Sequence, residues 1–364
     1  MEWLAQYWFV IVVVIVLVAA GGGRYYLSDR ARRGRPRHTG ERTIRVVGVG
    51  GAGGNAVDDM IDARVGGVDY VAVNTDGQFL EESMARRRIR IGDRVTRGLG
   101  AGGDPEVGRL SAEEDAEAIR LALEGSDLVF IAAGFGGGTG SGAAPVVAAT
   151  AKELGALTVG VVTLPFGFEG PPRRAIADAA IADMLRSVDT LLVIENDRAS
   201  ELVTDETSLR DAFRTVNQVL VEAVRGVADI MTLPGLVNVD FADVASIMRD
   251  GGMGLAGIGR AAGEGRAVAA AQAAIASPLL AHHIEGAQRI LLNVAAASTL
   301  TLHEVVEVAE TIRAAAGSNA KIVFGATFDN RMKDELIVTV IATRFEDAPG
   351  SRGDGEERAA YQPA

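Results

Sequence analysis

The run Gly134-Phe135-Gly136-Gly137-Gly138-Thr139-Gly140-Ser141-Gly142 constrains this chain more than any other stretch, because six of its nine residues are glycine. Before it, the apolar segment Leu128–Ala132, bounded by Asp127, predicts a buried strand. After it, the alanine-rich Ala143–Ala151 predicts a helix with Pro145 in its first turn. A turn stripped of side chains between strand and helix lets backbone N–H groups converge at a helix N-terminus, a site suited to phosphates. Thr139 and Ser141 add hydroxyl donors. A plain tight turn uses one or two glycines for positive φ, so a phosphate loop accounts better for six. The loop carries no lysine and the chain has no Gly-Lys-Ser or Gly-Lys-Thr, so this is not a Walker-type loop.

A second glycine-rich turn lies upstream. The apolar segment Thr43–Val49 predicts a strand that runs into Gly50, Gly51, Gly53, Gly54 and Asn55, followed by a helical run at Ala56–Ile61. Gly48, Gly50 and Gly53 satisfy the G-x-G-x-x-G dinucleotide pattern. A dinucleotide needs no second phosphate loop, whereas two glycine turns fit one polyphosphate held from two sides. The strand Tyr70–Val73 ends in Asn74-Thr75-Asp76, short polar residues that serve equally as ligand contacts or as turn formers. At 96–108 comes another glycine turn, with Asp104 as N-cap and Pro105 at the first helical position. Strands at Leu157–Thr163 and Thr190–Ile194 alternate with helices, which predicts a Rossmann-like α/β domain with a mainly parallel sheet and helices on both faces.

Farther on, apolar residues recur at three-and-four spacing through Ser208–Val224, within a central helix expected at 206–230. Between 231 and 345 helices no longer separate every strand, which predicts a smaller α+β domain with a mixed sheet. Asp240 and Asp243 lie three apart at a helix start. That spacing projects both carboxylates to one side; equally, Asp240 can cap the helix and Asp243 favour its dipole.

The chain's 364 residues, 48% of them hydrophobic, suffice for two domains. A net charge of −12 argues against a nucleic-acid partner. The absence of cysteine excludes disulfides and thiolate metal sites, and the 4 histidines are too scattered for a metal centre. Trp3 to Ala20 is apolar except for Gln6, and through Gly23 it reaches the ~20 residues that a spanning helix requires. Trp3, Tyr7 and Trp8 at one end and Tyr25 and Tyr26 at the other fit interfacial belts. Only Glu2 is charged before the run, unlike the basic start of a signal peptide. Six arginines between Arg24 and Arg37 follow it and place that side in the cytoplasm. The expectation is a single-pass anchor in the cell membrane at 1–23 with the N-terminus outside. An arginine-rich linker at 24–42 would be drawn to anionic head groups, and a disordered polar tail would occupy 346–364.

The wording Gly-Gly-Gly-Thr-Gly-Ser-Gly resembles the signature of the tubulin/FtsZ superfamily of GTPases. In order from about residue 43 to about 344, the chain is similar to the FtsZ family of prokaryotic cell-division GTPases. The resemblance implies a GTP-binding domain at 43–205 that holds GTP or GDP with Mg²⁺. Its phosphate contacts would be Gly50, Gly51, Gly53, Gly54, Asn55, Asn74, Gly136, Gly137, Gly138, Thr139, Gly140, Ser141 and Gly142. Glu169 and Arg173 would serve the ribose and phosphates. Asn196, Phe213 and Asn217 would surround the guanine, amides pairing with its edge and Phe213 offering a stacking face. Asn238, Asp240 and Asp243 would enter the nucleotide pocket of the next subunit and position the attacking water. Pro171-Pro172 departs from the lysines many relatives carry, and the tail lacks the family's adaptor-binding peptide. The expectation is a membrane-anchored GTPase that polymerises head to tail in cell division, with itself, the membrane and other division proteins as partners. The alternative is a non-polymerising GTP-binding adaptor.

Overall fold

Period-two alternation of buried residues builds the first half of the molecule. In the strand Leu128–Gly134, Leu128, Phe130 and Ala132 face one layer of helices while Val129, Ile131 and Ala133 face the other. Strands apolar on both sides require helices on both sides, and that is the observed layering. The structure, a computed structural model, describes residues 42–199, 207–232, 235–237, 239–277, 284–317 and 319–345.

In chain order the strands are β1 (Ile44–Val49), β2 (Val68–Asn74), β3 (Arg87–Arg90), β4 (Leu128–Gly134), β5 (Leu157–Leu164), β6 (Thr190–Glu195), β7 (Gly235–Val237), β8 (Gly252–Ala262), β9 (Ala287–Ala296), β10 (Lys321–Phe328) and β11 (Glu335–Phe345). The helices of the first half are α1 (Gly50–Asp62), α2 (Gly77–Glu82), α3 (Asp93–Thr96), α4 (Pro105–Glu114), α5 (Ala116–Leu123), α6 (Gly138–Glu153), α7 (Pro171–Ser187) and α8 (Asn196–Ala199). The long α9 (Leu209–Thr232) follows, then α10 (Phe241–Met248), α11 (Arg266–Ile275) and α12 (Leu302–Ala316).

The first six strands are parallel and run in the order β3-β2-β1-β4-β5-β6. This is a doubly wound sheet whose strand order reverses between β1 and β4. The crevice beyond the C-terminal ends of those two strands is where such sheets take ligands. α1, α9 and α10 cover one face, and α4 to α7 the other.

The second half is the expected mixed arrangement: β11 runs antiparallel to β8 and β9, while β10 runs parallel to β9. It is not a separate sheet. Thr190–Leu192 of β6 pairs in parallel with Gly252–Gly254 of β8, so all eleven strands are continuous. Glycine permits this seam: a Cβ on Gly254 would stand 2.8 Å from Leu192 Cδ2, and one on Gly251 2.5 Å from Thr190 Oγ1. α9 spans both halves, burying Val216, Leu220, Val224 and Val227 in one cluster with Phe130 of β4 and Leu291 of β9. No helix among the described residues is long and apolar enough to cross a membrane. The expected anchor (1–23), nearly all of the arginine-rich linker (24–42) and the tail (346–364) lie outside the described residues.

Where α9 meets the second half, a cleft of about 170 Å³ is lined by charged side chains. Glu222, 5% exposed, accepts from Arg225 at 2.9 Å and from Arg260 of β8 at 2.7 Å. Asp229 lies in the same cleft, and burial, partly offset by the Arg225 guanidinium, pushes its carboxyl up to about 6. The unfolded carboxyl titrates near 4, so the folded state binds the proton more tightly. Protonated Asp229 is therefore tolerated at low pH, and its ionisation costs stability as pH rises through about 6. Asp229→Asn should raise the melting temperature of the full chain by roughly 2–4 °C at pH 7.5, with a smaller gain at pH 5. An equal change at both pH values would refute the burial account.

Candidate nucleotide site

Both glycine turns sit at the crevice that the strand order dictates, one after β1 and one after β4. The helices begin earlier than the sequence suggested. α1 starts at Gly50 rather than Ala56, and α6 at Gly138 rather than Ala143, which leaves Pro145 inside α6. Tight packing explains the difference. A Cβ on Gly53 would lie 2.2 Å from the Ala132 carbonyl oxygen, one on Gly140 2.3 Å from that of Gly134, and one on Gly142 1.9 Å from that of Pro105. Gly50, at φ +72°, brings the two turns together: its Cβ would be 3.0 Å from the Gly140 nitrogen. A Cβ on Gly54 would strike the Phe79 ring at 2.7 Å, and one on Gly138 would strike Ala101 and Asp104 at 2.8 Å. Most of these glycines therefore let backbones approach. Gly137, with nothing within 4 Å of its Cβ position, faces open space.

What the packing leaves is two helix N-termini side by side. The cap positions Val49 and Gly137 supply no side-chain hydrogen bond to them. First-turn N–H groups without side-chain acceptors, on helices of 13 and 16 residues, make a site for a multiply charged anion.

Hydroxyls and short loops brace the turns. Thr75, fully buried, pairs through Oγ1 with Oγ1 of Thr139 at 2.7 Å, tying the β2 loop to the second glycine turn. The Gly136 N–H donates to Ser141 Oγ at 2.9 Å, so that hydroxyl closes the turn upon itself. Asn74 accepts from the Asp76 N–H, and Asp76 caps α2 by accepting from Gln78 and Phe79. Turn formation thus accounts for the side chains of Asn74 and Asp76, and Thr75 makes the link to the site. Asn55 is exposed on α1.

The other end of the crevice is aromatic and amide-rich. Phe166 stacks on Phe168 at 5.2 Å and meets Phe213 of α9 edge-on at 5.2 Å. Phe168 is 72% exposed and Phe213 41%, apolar rings left open to a ligand. Asn196, at the start of α8, is buried, and its Oδ1 has no hydrogen-bond partner among the described residues. An orphaned buried carbonyl costs about 1–3 kcal/mol unless something donates to it, so the residues present fit a ligand with N–H groups. Asn217 Nδ2 donates to Asp59 Oδ2 of α1 at 2.8 Å. Glu169 accepts from the Phe166 N–H at 2.9 Å and pairs with Arg173. Phe166, Phe168 and Asp59 were not singled out from sequence, although the run Pro165–Glu169 after a buried strand carried the signal.

Asp240 and Asp243 lie elsewhere. Asp240 caps α10, its Oδ1 accepting from the Asp243 N–H at 2.9 Å. The Asp243 carboxylate is exposed and has no hydrogen-bond partner among the described residues. α10 is tied down by Thr190 to the Met248 carbonyl (2.5 Å), Thr343 to that of Ile247 (2.9 Å) and Lys321 to Ser246 (2.8 Å). Thr190 and Lys321 open their strands, so this helix is fixed at the N-terminal edge of the sheet, opposite the glycine turns. Asn238 lies outside the described residues.

Gly140→Ala should destabilise the fold by about 1–3 kcal/mol through overpacking and abolish nucleotide binding. Gly137→Ala should leave the melting temperature within error while weakening binding, because only a bound anion would meet its methyl. Equal destabilisation by both would show that the open space at Gly137 is not a ligand position.

The sequence matches the GTPase domain of the tubulin/FtsZ family over residues 43–204. It matches the C-terminal domain of the FtsZ family over 252–346. An empty FtsZ dimer from M. jannaschii is 41% identical, over 88% of this chain and 92% of that one, with a TM-score of 0.80. An FtsZ mutant from M. jannaschii is also 41% identical, over 89% and 96%, with a TM-score of 0.81. CetZ2 from Haloferax volcanii, a GTPγS-bound protofilament, shares the fold at 22% identity, over 84% and 94%, with a TM-score of 0.73. With both domains matched in order and the crevice built as these residues require, the chain belongs to the tubulin/FtsZ family of GTPases.

Proposed function

We propose that this protein is a membrane-anchored GTPase that assembles head to tail and hydrolyses GTP where two subunits meet, in cell division or a related constriction of the membrane. One observation carries the reading. The glycine turns and the exposed Asp243 carboxylate occupy opposite edges of one sheet, so a chain cannot bring its own carboxylate to its own phosphates. Stacking one subunit on the next closes that distance, and the M. jannaschii relative is itself a dimer.

In such a junction the first-turn N–H groups of α1 and α6 would hold the phosphates, and Gly137 would leave room for them. Phe213, Asn196 and Asn217 would hold the base. Mg²⁺ would neutralise phosphate charge; it binds mainly through phosphate oxygens and water and needs no dense carboxylate cluster. Asp243 of the neighbour would orient water toward the γ-phosphorus. The bond to the bridging oxygen then breaks, releasing GDP and phosphate by positioning and charge stabilisation. Asp240, held in its capping bond, would set the angle of the helix that presents Asp243.

Turnover per molecule should rise with the concentration of the full chain in detergent or on vesicles. A specific rate independent of concentration would overturn the shared site and favour the adaptor. Asp243→Ala should cut turnover roughly hundredfold while GTP affinity stays within a few-fold. Loss of both together would place the carboxylate in the chain's own pocket.

The apolar run at Trp3–Ala20 and the arginines after it support the anchor. Deleting residues 1–23 should release the protein from membranes in high salt, because arginines on a linker are screened beyond roughly 8–10 Å. Retention in high salt would require a second attachment.

A further inference from the structure

An amide side chain has a donating and an accepting end, and which end faces a base decides which base it admits. Asn217 lies one helical turn beyond Phe213 on α9, so the two share a helix face. Its Nδ2 donates to Asp59 Oδ2 at 2.8 Å. Neither the Asn217 Oδ1 nor the other Asp59 oxygen has a hydrogen-bond partner among the described residues. A carboxylate accepts and cannot donate, so it can engage only the NH₂ end of the amide. The Asn217 carbonyl is thereby turned away from α1. Asn196, buried at the start of α8, contributes a second carbonyl without a partner among the described residues.

We infer that Asp59 is a positioning residue that sets purine selectivity. By holding the Asn217 amino group it commits the carbonyl to the base and selects a purine that donates from N1 and from its C2 substituent. Guanine carries N1–H and a 2-amino group; adenine has an acceptor at N1, and xanthine an oxygen at C2. Asp59 is on the third turn of α1, whose first turn opens at the phosphate turn. One helix thus serves both ends of the nucleotide. This inference rests on Asn217 meeting the base, as proposed above.

The test is competition of GTP and XTP against a fluorescent GTP analogue, on the full chain. Asp59→Lys presents donors only and should reverse the amide, lowering the GTP-over-XTP preference at least roughly tenfold. Asp59→Asn, close in size and able to present either end, should lower it by a smaller factor and keeps the test available if the lysine variant does not fold. A simple loss of packing would weaken both nucleotides in parallel and leave the ratio unchanged, which would overturn the inference. Asn217→Ala separates the two levels. If it collapses the preference while both Asp59 variants keep it, the role of Asp59 is wrong. If Asn217→Ala changes neither affinity nor preference, the base does not sit there and both readings fall.

Discussion

The near-contact of two backbones at Gly50 and Gly140 is the constraint on which the site depends. The turn after β1 can lie against the turn after β4 because Gly50 carries no Cβ, which would stand 3.0 Å from the Gly140 nitrogen. The doubly wound strand order puts these two turns at the reversal of the sheet, and glycine lets them close to backbone distance. Their helices then start next to one another and sum their N–H groups on a single point. Thr75 and Thr139 lock the relation from the side, and the 96–108 turn backs it, with Pro105 against Gly142.

Glycine serves two purposes here that sequence cannot distinguish. At Gly137 the missing side chain leaves room for a ligand. At Gly53, Gly140 and Gly142 it makes room for protein. A run of glycines signals a close approach without naming what approaches. For the same reason the helix starts were placed several residues late: glycine has low helix propensity, yet here packing against neighbouring backbone overrides it.

Much else was legible. The buried strands β1, β4, β5 and β6 and the Asp104–Pro105 helix start fall where the sequence pattern put them. Three strands, β3, β7 and β8, left no such trace. β8 reads Gly-Met-Gly-Leu-Ala-Gly-Ile-Gly-Arg-Ala-Ala, nearly devoid of the bulky side chains that mark strands. It is a strand because β11 and β6 supply its ladder bonds on both sides. β3, Arg87–Arg90, is a charged edge strand, the composition that blunts an open edge. At the site, partners distant in sequence were invisible. Asp59 and Asn217 are 158 positions apart, and nothing in either neighbourhood announces the other. Of the two readings of Asp240 and Asp243, the capping one is what the fold displays: Asp240 caps α10, and the Asp243 carboxylate lies in its first turn with no partner among the described residues.

The seam between β6 and β8 also has a mechanical meaning. Three residue pairs join the two halves of the sheet there, and α10 is bolted to the same place through Thr190 and Thr343. Asp243 therefore rides on a helix held at the joint and, through Lys321, on the second half. A small change of twist between the halves would swing that carboxylate through an arc while leaving the glycine turns, anchored in β1 and β4, undisturbed. The acidic helix and the glycine turns thus belong to opposite edges of a single continuous sheet.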